Sequence, residues 1–193
     1  MGKKLPIVQL QEKVLRKKAR EIPRDAIRQK KIQQLIADMK ATIAATPDGV
    51  GLAAPQVGEP LRLFIVSEEA EMIDAASKKG YERRPQQSPD EVREKPYEEK
   101  EWDYYVFINP VVKNRARRMD EGVEGCLSVR GKFGTVKRYE KITVEAYDEH
   151  GRVRTWGRSR FFARVLQHEL DHLEGTLFID KARDVVDAQR REL

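Results

Sequence analysis

A helix that combines an apolar surface with two histidines constrains the fold of this 193-residue chain most strongly. The sequence predicts this helix from about Ser159 to Leu173, with Ser159 as the N-cap and Gly175 just past the helix end. Its apolar residues lie on nearly every side, and a helix of that kind is buried inside a domain. The other elements of the chain must therefore be built around it.

The same helix contains the sequence His168-Glu169-Leu170-Asp171-His172. Histidines at positions i and i+4 lie on one helix face, one turn apart, so both imidazoles can reach a single metal ion. Glu169 points to another side, where it can address the water of such a site. The alternative is a pair of packed core histidines. The chain has only three histidines, however, and polar groups in an apolar helix need partners, so the pattern favours a metal site.

A catalytic metal site usually has three protein ligands and one open position. The extended pattern H-x-x-G-x-x-H does not supply the third ligand, because Phe178 stands where its last histidine would be. Cys126, the single cysteine, is the better candidate, since a thiolate binds Fe or Zn well. Taken alone, it could also be a core thiol or a nucleophile. The third histidine, His150, falls in a turn and is expected to be exposed.

Composition limits the class of protein. Hydrophobic residues make up 39% of the chain and charged residues 36%, which suits one domain with a heavily solvated surface. A lone cysteine excludes an internal disulfide and fits a reducing compartment. The N-terminus lacks the apolar run of a signal peptide, and no stretch approaches the ~20 apolar residues of a membrane span. The expected location is the cytoplasm, with no membrane or DNA partner.

The formal net charge of +6 permits contact with an anionic partner such as ribosomal RNA. The basic residues are spread through three segments rather than gathered into one run: 113–118, 130–141 and 152–164. Ordinary solubility explains the same charge without any partner.

Hydrophobic periodicity places further elements along the chain. It predicts a helix over about 25–46, a strand at 61–67, two strands at 104–108 and 111–113, and a hairpin formed by 142–147 and 152–156. Residues 68–104 are rich in Glu and Lys and contain three prolines, so they are expected to form a charged surface insertion that is helical only around 68–79.

Three segments together resemble the signature of the peptide deformylase family. Gly49–Gln56 matches G-x-G-L-A-A-x-Q, Glu124–Ser128 matches E-G-C-L-S, and Gln167–His172 matches Q-H-E-x-D-H, in that order. The resemblance covers roughly residues 5–180. It implies an α+β fold in which antiparallel sheets pack around a central metal-binding helix. The chain is then a single catalytic domain over 1–193, with the insertion at about 68–104.

The resemblance also implies an activity. Peptide deformylases hydrolyse the N-formyl group from the N-terminal methionine of newly made polypeptides and release formate. They usually use Fe(II), and Zn, Ni or Co can occupy the site. The implied ligands are Cys126, His168 and His172. Some family members approach the ribosome with a long C-terminal helix. The tail after Asp180 is short here, so a ribosome contact is possible but is not implied through such a helix.

The implied catalytic groups are Glu169, Gln56 and Leu127. Glu169 would take the proton of the attacking water and pass it to the leaving amine. The Gln56 side-chain amide and the Leu127 backbone N–H would stabilise the oxyanion. On residue type alone, Gln56 could equally be a turn residue that bonds to backbone.

Four further residues are expected to bind substrate. Val50, Phe161 and Val165 would line an apolar pocket for the methionine side chain, although they could equally be ordinary core. Gly51 belongs to an open glycine-rich segment against which a peptide backbone can pair. Glu124 and Asp171 are candidates for orienting the metal ligands, or are simply solvated carboxylates.

Two other functions remain open at this point. A zincin-type metallopeptidase shares the His-Glu-x-x-His geometry but has no need of Cys126. A basic ribosome-binding module with a structural metal would require a closed site with four ligands, whereas the sequence offers only three good ones.

Overall fold

A computed structural model describes residues 2–47, 49–78 and 102–188. The helices are α1 (Lys30–Ala44), α2 (Glu69–Lys78) and α3 (Arg160–Leu173). The strands are β1 (Gly51–Ala53), β2 (Leu63–Ser67), β3 (Tyr104–Arg115), β4 (Met119–Cys126), β5 (Val129–Tyr139), β6 (Lys141–Tyr147), β7 (Val153–Ser159) and β8 (Arg183–Asp187).

The strands form two antiparallel sheets. One sheet has five strands in the order β1-β2-β3-β6-β7, and the other has three in the order β4-β5-β8. Helix α3 contacts β1, β2, β6 and β7 of the first sheet and β5 of the second. The predicted α+β fold, with antiparallel sheets around a central helix in a single domain, is confirmed.

Helix α1 covers one face of the larger sheet. Its side chains Ile32, Ile36, Met39 and Ile43 recur at helical spacing and are buried in one cluster with residues of β2 and β3. The helix begins at Lys30, later than predicted. The residues before it form a short 3-10 turn over 24–26 that follows Pro23 instead of joining the helix.

Strand β3 is continuous, so the prediction of two separate strands was wrong. The irregularity at Asn109-Pro110 is a bulge inside one strand, where the register with β6 shifts and Asn109 adopts φ 48°. The Asn109 side chain accepts a hydrogen bond from Ile22 N and donates one to Ile22 O. The bulge thereby fixes the N-terminal segment against the sheet.

Strands β4 and β5 form a hairpin that was not predicted. They pair from Met119↔Tyr139 to Cys126↔Val129, with a register shift just before Cys126. The short turn that closes the hairpin contains Leu127. The hairpin therefore places the single cysteine at the end of a strand, directly beside a turn.

Helix α3 has one buried face rather than an apolar surface on every side. The buried residues of the helix are Phe162, Ala163, Val165, Leu166, Glu169, His172 and Leu173. Arg164 and Gln167 lie on a half-buried polar side that meets β5. Gly175, with φ 72°, follows the helix end as predicted.

The start of α3 is capped from another helix. Ser159 occupies the N-cap position as predicted, but its side chain makes no capping hydrogen bond. Asp74 of α2 instead accepts hydrogen bonds from Phe161 N at 3.0 Å and Phe162 N at 3.3 Å. A carboxylate at a helix N-terminus also interacts favourably with the helix dipole.

The first part of the expected insertion, α2, packs into the fold. Its predicted helix is confirmed, and its Ala70 is fully buried in the core. Residues 79–101, the rest of that segment before Trp102, lie outside the described residues. Among the described residues, no helix has the length and apolar character needed to cross a membrane.

Candidate metal centre

Helix α3 and the end of β4 bring three metal-binding side chains together. His168 and His172 come from successive turns of α3, and Cys126 faces them from β4. The Cys126 Sγ lies 3.3 Å from His172 Nε2, and the three ligand atoms all lie within 4.8 Å of one another. The structure therefore assembles the ligand set that the sequence predicted.

This donor set fits a first-row transition metal. With bonds of about 2.0–2.1 Å to nitrogen and about 2.3 Å to sulfur, tetrahedral ligand atoms stand roughly 3.3–3.8 Å apart. The Sγ–Nε2 separation of 3.3 Å agrees with that spacing. A thiolate with two imidazoles favours Fe or Zn over Mg or Ca. Three protein ligands leave one tetrahedral position for a water or a substrate.

His168 is held in an orientation that suits a metal ligand, whereas the buried Nδ1 of His172 has no hydrogen-bond partner among the described residues. His168 Nδ1 lies 2.9 Å from Glu124 Oε2, so Nδ1–H donates to the carboxylate and Nε2 is left for an ion. Burial lowers the pKa of His172 well below its ordinary value, which keeps that ring neutral. Glu124 thus fixes the orientation of the His168 ring, the contact that the sequence suggested for it.

Glu124 is an ionised carboxylate inside the protein. Burial acts to raise its pKa, but the hydrogen bonds from Arg138 and His168 outweigh burial and hold the pKa well below the usual range. Arg138 donates to both carboxylate oxygens, at 2.9 and 2.8 Å. Arg138 also donates to Asp171 at 2.6 Å. Through Arg138, Asp171 is connected to Glu124 and His168.

Glu169 lies beside the ligands and is almost fully buried. Burial raises the pKa of its carboxyl group to about 7. Within the described part of the chain, its Oε2 has no hydrogen-bond partner. Gly51 of β1 packs directly against this carboxylate, because a Cβ on Gly51 would collide with Glu169 Oε1. A buried carboxyl with an unused oxygen is suited to accept and release a proton.

Gln56 points its amide nitrogen toward the thiol. Its Oε1 accepts a hydrogen bond from Ala53 N at 2.8 Å, which assigns the orientation of the amide. Its Nε2 donates to Ser128 Oγ at 3.4 Å and to Cys126 Sγ at 3.5 Å. The contact with Ser128 is long and a thiol sulfur is a weak acceptor, so these amide N–H groups can be given up to a stronger acceptor while the amide oxygen stays bound to Ala53.

Leu127 follows Cys126 directly in the turn of the β4–β5 hairpin. Its carbonyl accepts a hydrogen bond from Gln9 Nε2 at 3.2 Å, which holds the turn against the N-terminal segment. The Leu127 backbone thus adjoins the predicted ligand set.

The four predicted substrate-binding residues come to one region of the protein. Val165 is buried, and Val50 and Phe161 are half-buried against the same apolar cluster. Gly51 adjoins Val165, because a Cβ on Gly51 would stand 3.0 Å from Val165 Cγ1. His150, in contrast, is exposed in the β6–β7 turn, as predicted.

Two arginines of the centre were not predicted. Arg138 and Arg164 both donate to Glu124, from β5 and α3 respectively. Arg138 lies on a strand that the periodicity did not reveal, and Arg164 reads in the sequence as one more solvated cation. No local signal in the sequence marks either of them.

The fold and the centre define a class of protein: an α+β domain with a candidate metal centre, in which the central helix carries two imidazoles and a carboxyl group and the neighbouring strand carries a thiol. Comparison with known proteins makes the class narrower. The model of the polypeptide deformylase family matches residues 4–188. The chain belongs to this family, whose members are metal-dependent enzymes that remove N-formyl groups.

Individual relatives agree with the family match. The chain is 39% identical over 175 residues to peptide deformylase 1A of Arabidopsis thaliana, described as chloroplastic/mitochondrial, which covers 91% of this chain and 60% of the plant protein. It is 38% identical over 194 residues to the peptide deformylase of Thermus thermophilus, which covers 97% of this chain and 90% of that protein.

Solved structures show the same fold. A peptide deformylase from Legionella pneumophila superposes with a TM-score of 0.72 at 31% identity, and the match covers 94% of this chain and 87% of the Legionella chain. A Met-Ala-Ser-bound peptide deformylase from Acinetobacter baumannii has a TM-score of 0.72 at 29% identity, and the match covers 94% of this chain and 99% of the Acinetobacter chain. A Synechococcus elongatus peptide deformylase in complex with actinonin has a TM-score of 0.70 at 30% identity, with 93% and 79% covered.

Proposed function

We propose that this chain hydrolyses the N-formyl group of the N-terminal methionine of newly made polypeptides, releasing formate and a free amine. One observation carries the proposal: the buried Glu169 carboxylate, with one oxygen unpaired among the described residues, lies beside a group of one thiol and two imidazoles. Such a centre combines an open metal site with a proton carrier. A peptide deformylase relative has been solved with Met-Ala-Ser bound, which supports a formyl-Met peptide as the substrate class.

Cys126, His168 and His172 are the proposed ligands, and Fe(II) is the expected metal, with Zn, Ni or Co able to take its place. When bound, such an ion polarises a carbonyl and lowers the pKa of water toward about 7. The Cys126 thiolate and the neutral His172 ring supply the soft and borderline donors that these metals prefer.

Glu169 is the proposed general base and then the general acid. It takes the proton of the attacking water and delivers it to the nitrogen of the leaving amine. Its pKa of about 7 places both protonation states within reach near neutral pH. One carboxyl group can therefore serve both halves of the reaction.

Gln56 and Leu127 are the proposed oxyanion donors. The Gln56 amide is fixed at its oxygen by Ala53, so its NH₂ group stays directed to the site. Its hydrogen bonds to Ser128 and to the thiol sulfur are weak, so they are easily exchanged for a stronger one to the developing charge. The Leu127 N–H would complete the pair.

Val50, Phe161 and Val165 are proposed to receive the methionine side chain, and Gly51 to pair with the peptide backbone. Their membership of one apolar cluster next to Glu169 supports a pocket for an unbranched apolar side chain. Because Gly51 carries no side chain, a substrate backbone can come close to β1 at this point.

The test measures the free N-terminal amine that anaerobically purified protein releases from formyl-Met-Ala-Ser and from acetyl-Met-Ala-Ser, together with the formate released from the formyl peptide. The proposal expects turnover of the formyl peptide only. Glu169→Gln should keep the metal and lose about 10²- to 10⁴-fold in kcat. No formate from the wild-type protein at full metal content would reject the proposal.

The Fe(II) assignment has its own test, because both the metal and the thiolate can be oxidised. Activity of the iron form should decline in air and should be restored by anaerobic reduction and reloading. The Ni form should lose activity in air more slowly than the iron form, because only its thiolate is readily oxidised. Full activity of an air-purified iron enzyme would contradict the assignment.

We also propose that the protein works in the cytoplasm as one catalytic domain with a surface insertion near 68–104, and that its basic surface allows contact with ribosomal RNA. The charge of +6 supports that contact. If the protein contacts phosphates, the fraction of it that sediments with ribosomes should fall steeply as the salt concentration is raised from about 0.05 to about 0.2 M. Absence of any sedimentation at low salt would reject the contact.

A further inference from the structure

Arg164 connects the helix that carries the histidines to the hairpin that carries the thiol. Its side chain is largely buried. Its Nη1 donates to Glu124 Oε1 at 2.9 Å and to the Val136 carbonyl at 2.8 Å, and its Nη2 donates to the Asp120 carbonyl at 3.1 Å. One guanidinium group of α3 therefore joins both β4 and β5.

The carboxylate that Arg164 contacts has no spare hydrogen-bonding capacity. Glu124 accepts two hydrogen bonds from Arg138, one from Arg164 and one from His168. A carboxylate offers about four acceptor sites, so all of them are occupied. Rotation of the Glu124 carboxylate would break at least one of these bonds. The two arginines thereby fix the direction of the oxygen that orients His168.

We propose that Arg164 is a positioning residue for the metal centre. It holds Glu124 and the β4 backbone at the distance from α3 at which Cys126 and His168 can share one ion. Arg164 acts on the ligands through Glu124. The inference rests on the metal site of the proposed function and adds the group that sets its geometry.

The neighbouring glycine supports this role and offers a second way to test it. A Cβ on Gly122 would stand 2.8 Å from the Cζ of Arg164. Residue 122 therefore has no room for a side chain while the guanidinium stays in place. Gly122→Ala should displace the guanidinium without removing its charge. This substitution therefore changes the position of the Arg164 side chain but not its chemistry.

The experiment measures Co²⁺ and Zn²⁺ affinity by chelator competition, the visible absorption of the Co²⁺ protein, and the Tm of the apoprotein. Arg164→Met should lower metal affinity about 10- to 100-fold and change the Co²⁺ absorption bands. In the formyl-peptide assay kcat should fall with KM little changed. Arg164→Lys, which can keep one contact with Glu124, should be intermediate, and Gly122→Ala should shift affinity in the same direction.

The matched control is Arg154→Met, which removes an arginine that is 53% exposed on β7 and pairs only with Asp148 among the described residues. It should leave affinity and absorption unchanged. Wild-type affinity and absorption in Arg164→Met would overturn the positioning role, even if the Tm of the apoprotein falls. If Arg164→Met does not fold, the remaining two variants decide. Wild-type metal affinity and Co²⁺ absorption in both Arg164→Lys and Gly122→Ala would then overturn the positioning role.

The two proposals fail separately. A wild-type protein that binds Co²⁺ but releases no formate rejects the deformylase proposal, while a loss of affinity in Arg164→Met still supports the positioning role. A wild-type protein that releases formate, together with an Arg164→Met variant of unchanged affinity, rejects only the positioning role.

Discussion

Gly51→Ala is the substitution that tests the contact between β1 and the proposed proton carrier. An added Cβ would stand 3.0 Å from both Glu169 Cδ and Val165 Cγ1. Ordinary carbon contacts are about 3.5–4.0 Å, so the carboxylate must retreat by roughly 0.5–1 Å. Misplacement of a catalytic group by about 1 Å costs on the order of 10² in rate. We therefore expect kcat to fall about 100-fold.

The assay is steady-state formate release from formyl-Met-Ala-Ser, with metal content and Tm measured on the same samples. Metal content should stay at the wild-type value, because the substitution does not touch the ligands. Gly157→Ala is the control, since the nearest atom to its Cβ would be Thr143 Oγ1 at 3.9 Å. A kcat of Gly51→Ala within about threefold of wild type would refute the reasoning.

Three further substitutions probe other parts of the structure. Asp74→Ala removes the cap of α3 and should lower the free energy of unfolding, measured by urea denaturation, by about 1 kcal/mol. The control is Met72→Ala on the exposed side of α2, which should change that free energy by less than about 0.5 kcal/mol. Gln56→Leu should keep the metal and lose about 10²- to 10³-fold in kcat, and an unchanged kcat would exclude it as an oxyanion donor. The pKa of Asp148 is lowered by the backbone N–H and side chain of Arg152, against the effect of burial. Its stabilisation is therefore present above about pH 4 and lost as pH falls through the folded pKa. The Tm difference between wild type and Asp148→Asn should be largest near neutral pH and should shrink steadily as the solution is acidified below about pH 4.

The parts of the fold that could be predicted are those with a local period. Ile32, Ile36, Met39 and Ile43 repeat at helical spacing, and residues 63–66 form a continuous apolar run, so α1 and β2 were recognised. The i,i+4 histidines identified the centre for the same reason, because both ligands lie on one element.

The β4–β5 hairpin could not be recognised in the same way. Both strands carry glycines and many charges, and the positions of β5 that alternate into the interior include Gly134 and Arg138, so they give no hydrophobic alternation. Gly122 and Gly125 leave room for Arg164 and Phe133 from other elements, so their presence reflects tertiary packing and weakens the strand signal. Arg138 shares this difficulty, since its partners Glu124 and Asp171 are far away in the chain.

The Ser159 cap shows how tertiary structure can replace a local signal. A serine before an apolar helix predicts a side-chain cap, but α2 brings Asp74 to the same N–H groups. A carboxylate is the stronger acceptor and satisfies two donors at once. The position of the helix start was therefore predictable, whereas the group that caps it was not.

The central claim is that Cys126, His168 and His172 bind one metal ion with an open fourth position. X-ray absorption of the anaerobically purified, metal-loaded protein measures this directly. The structure predicts one sulfur at about 2.3 Å and two imidazole nitrogens at about 2.0–2.1 Å for a Zn form, with one light ligand from solvent. A first shell without sulfur, or the same spectrum from Cys126→Ala, would contradict it.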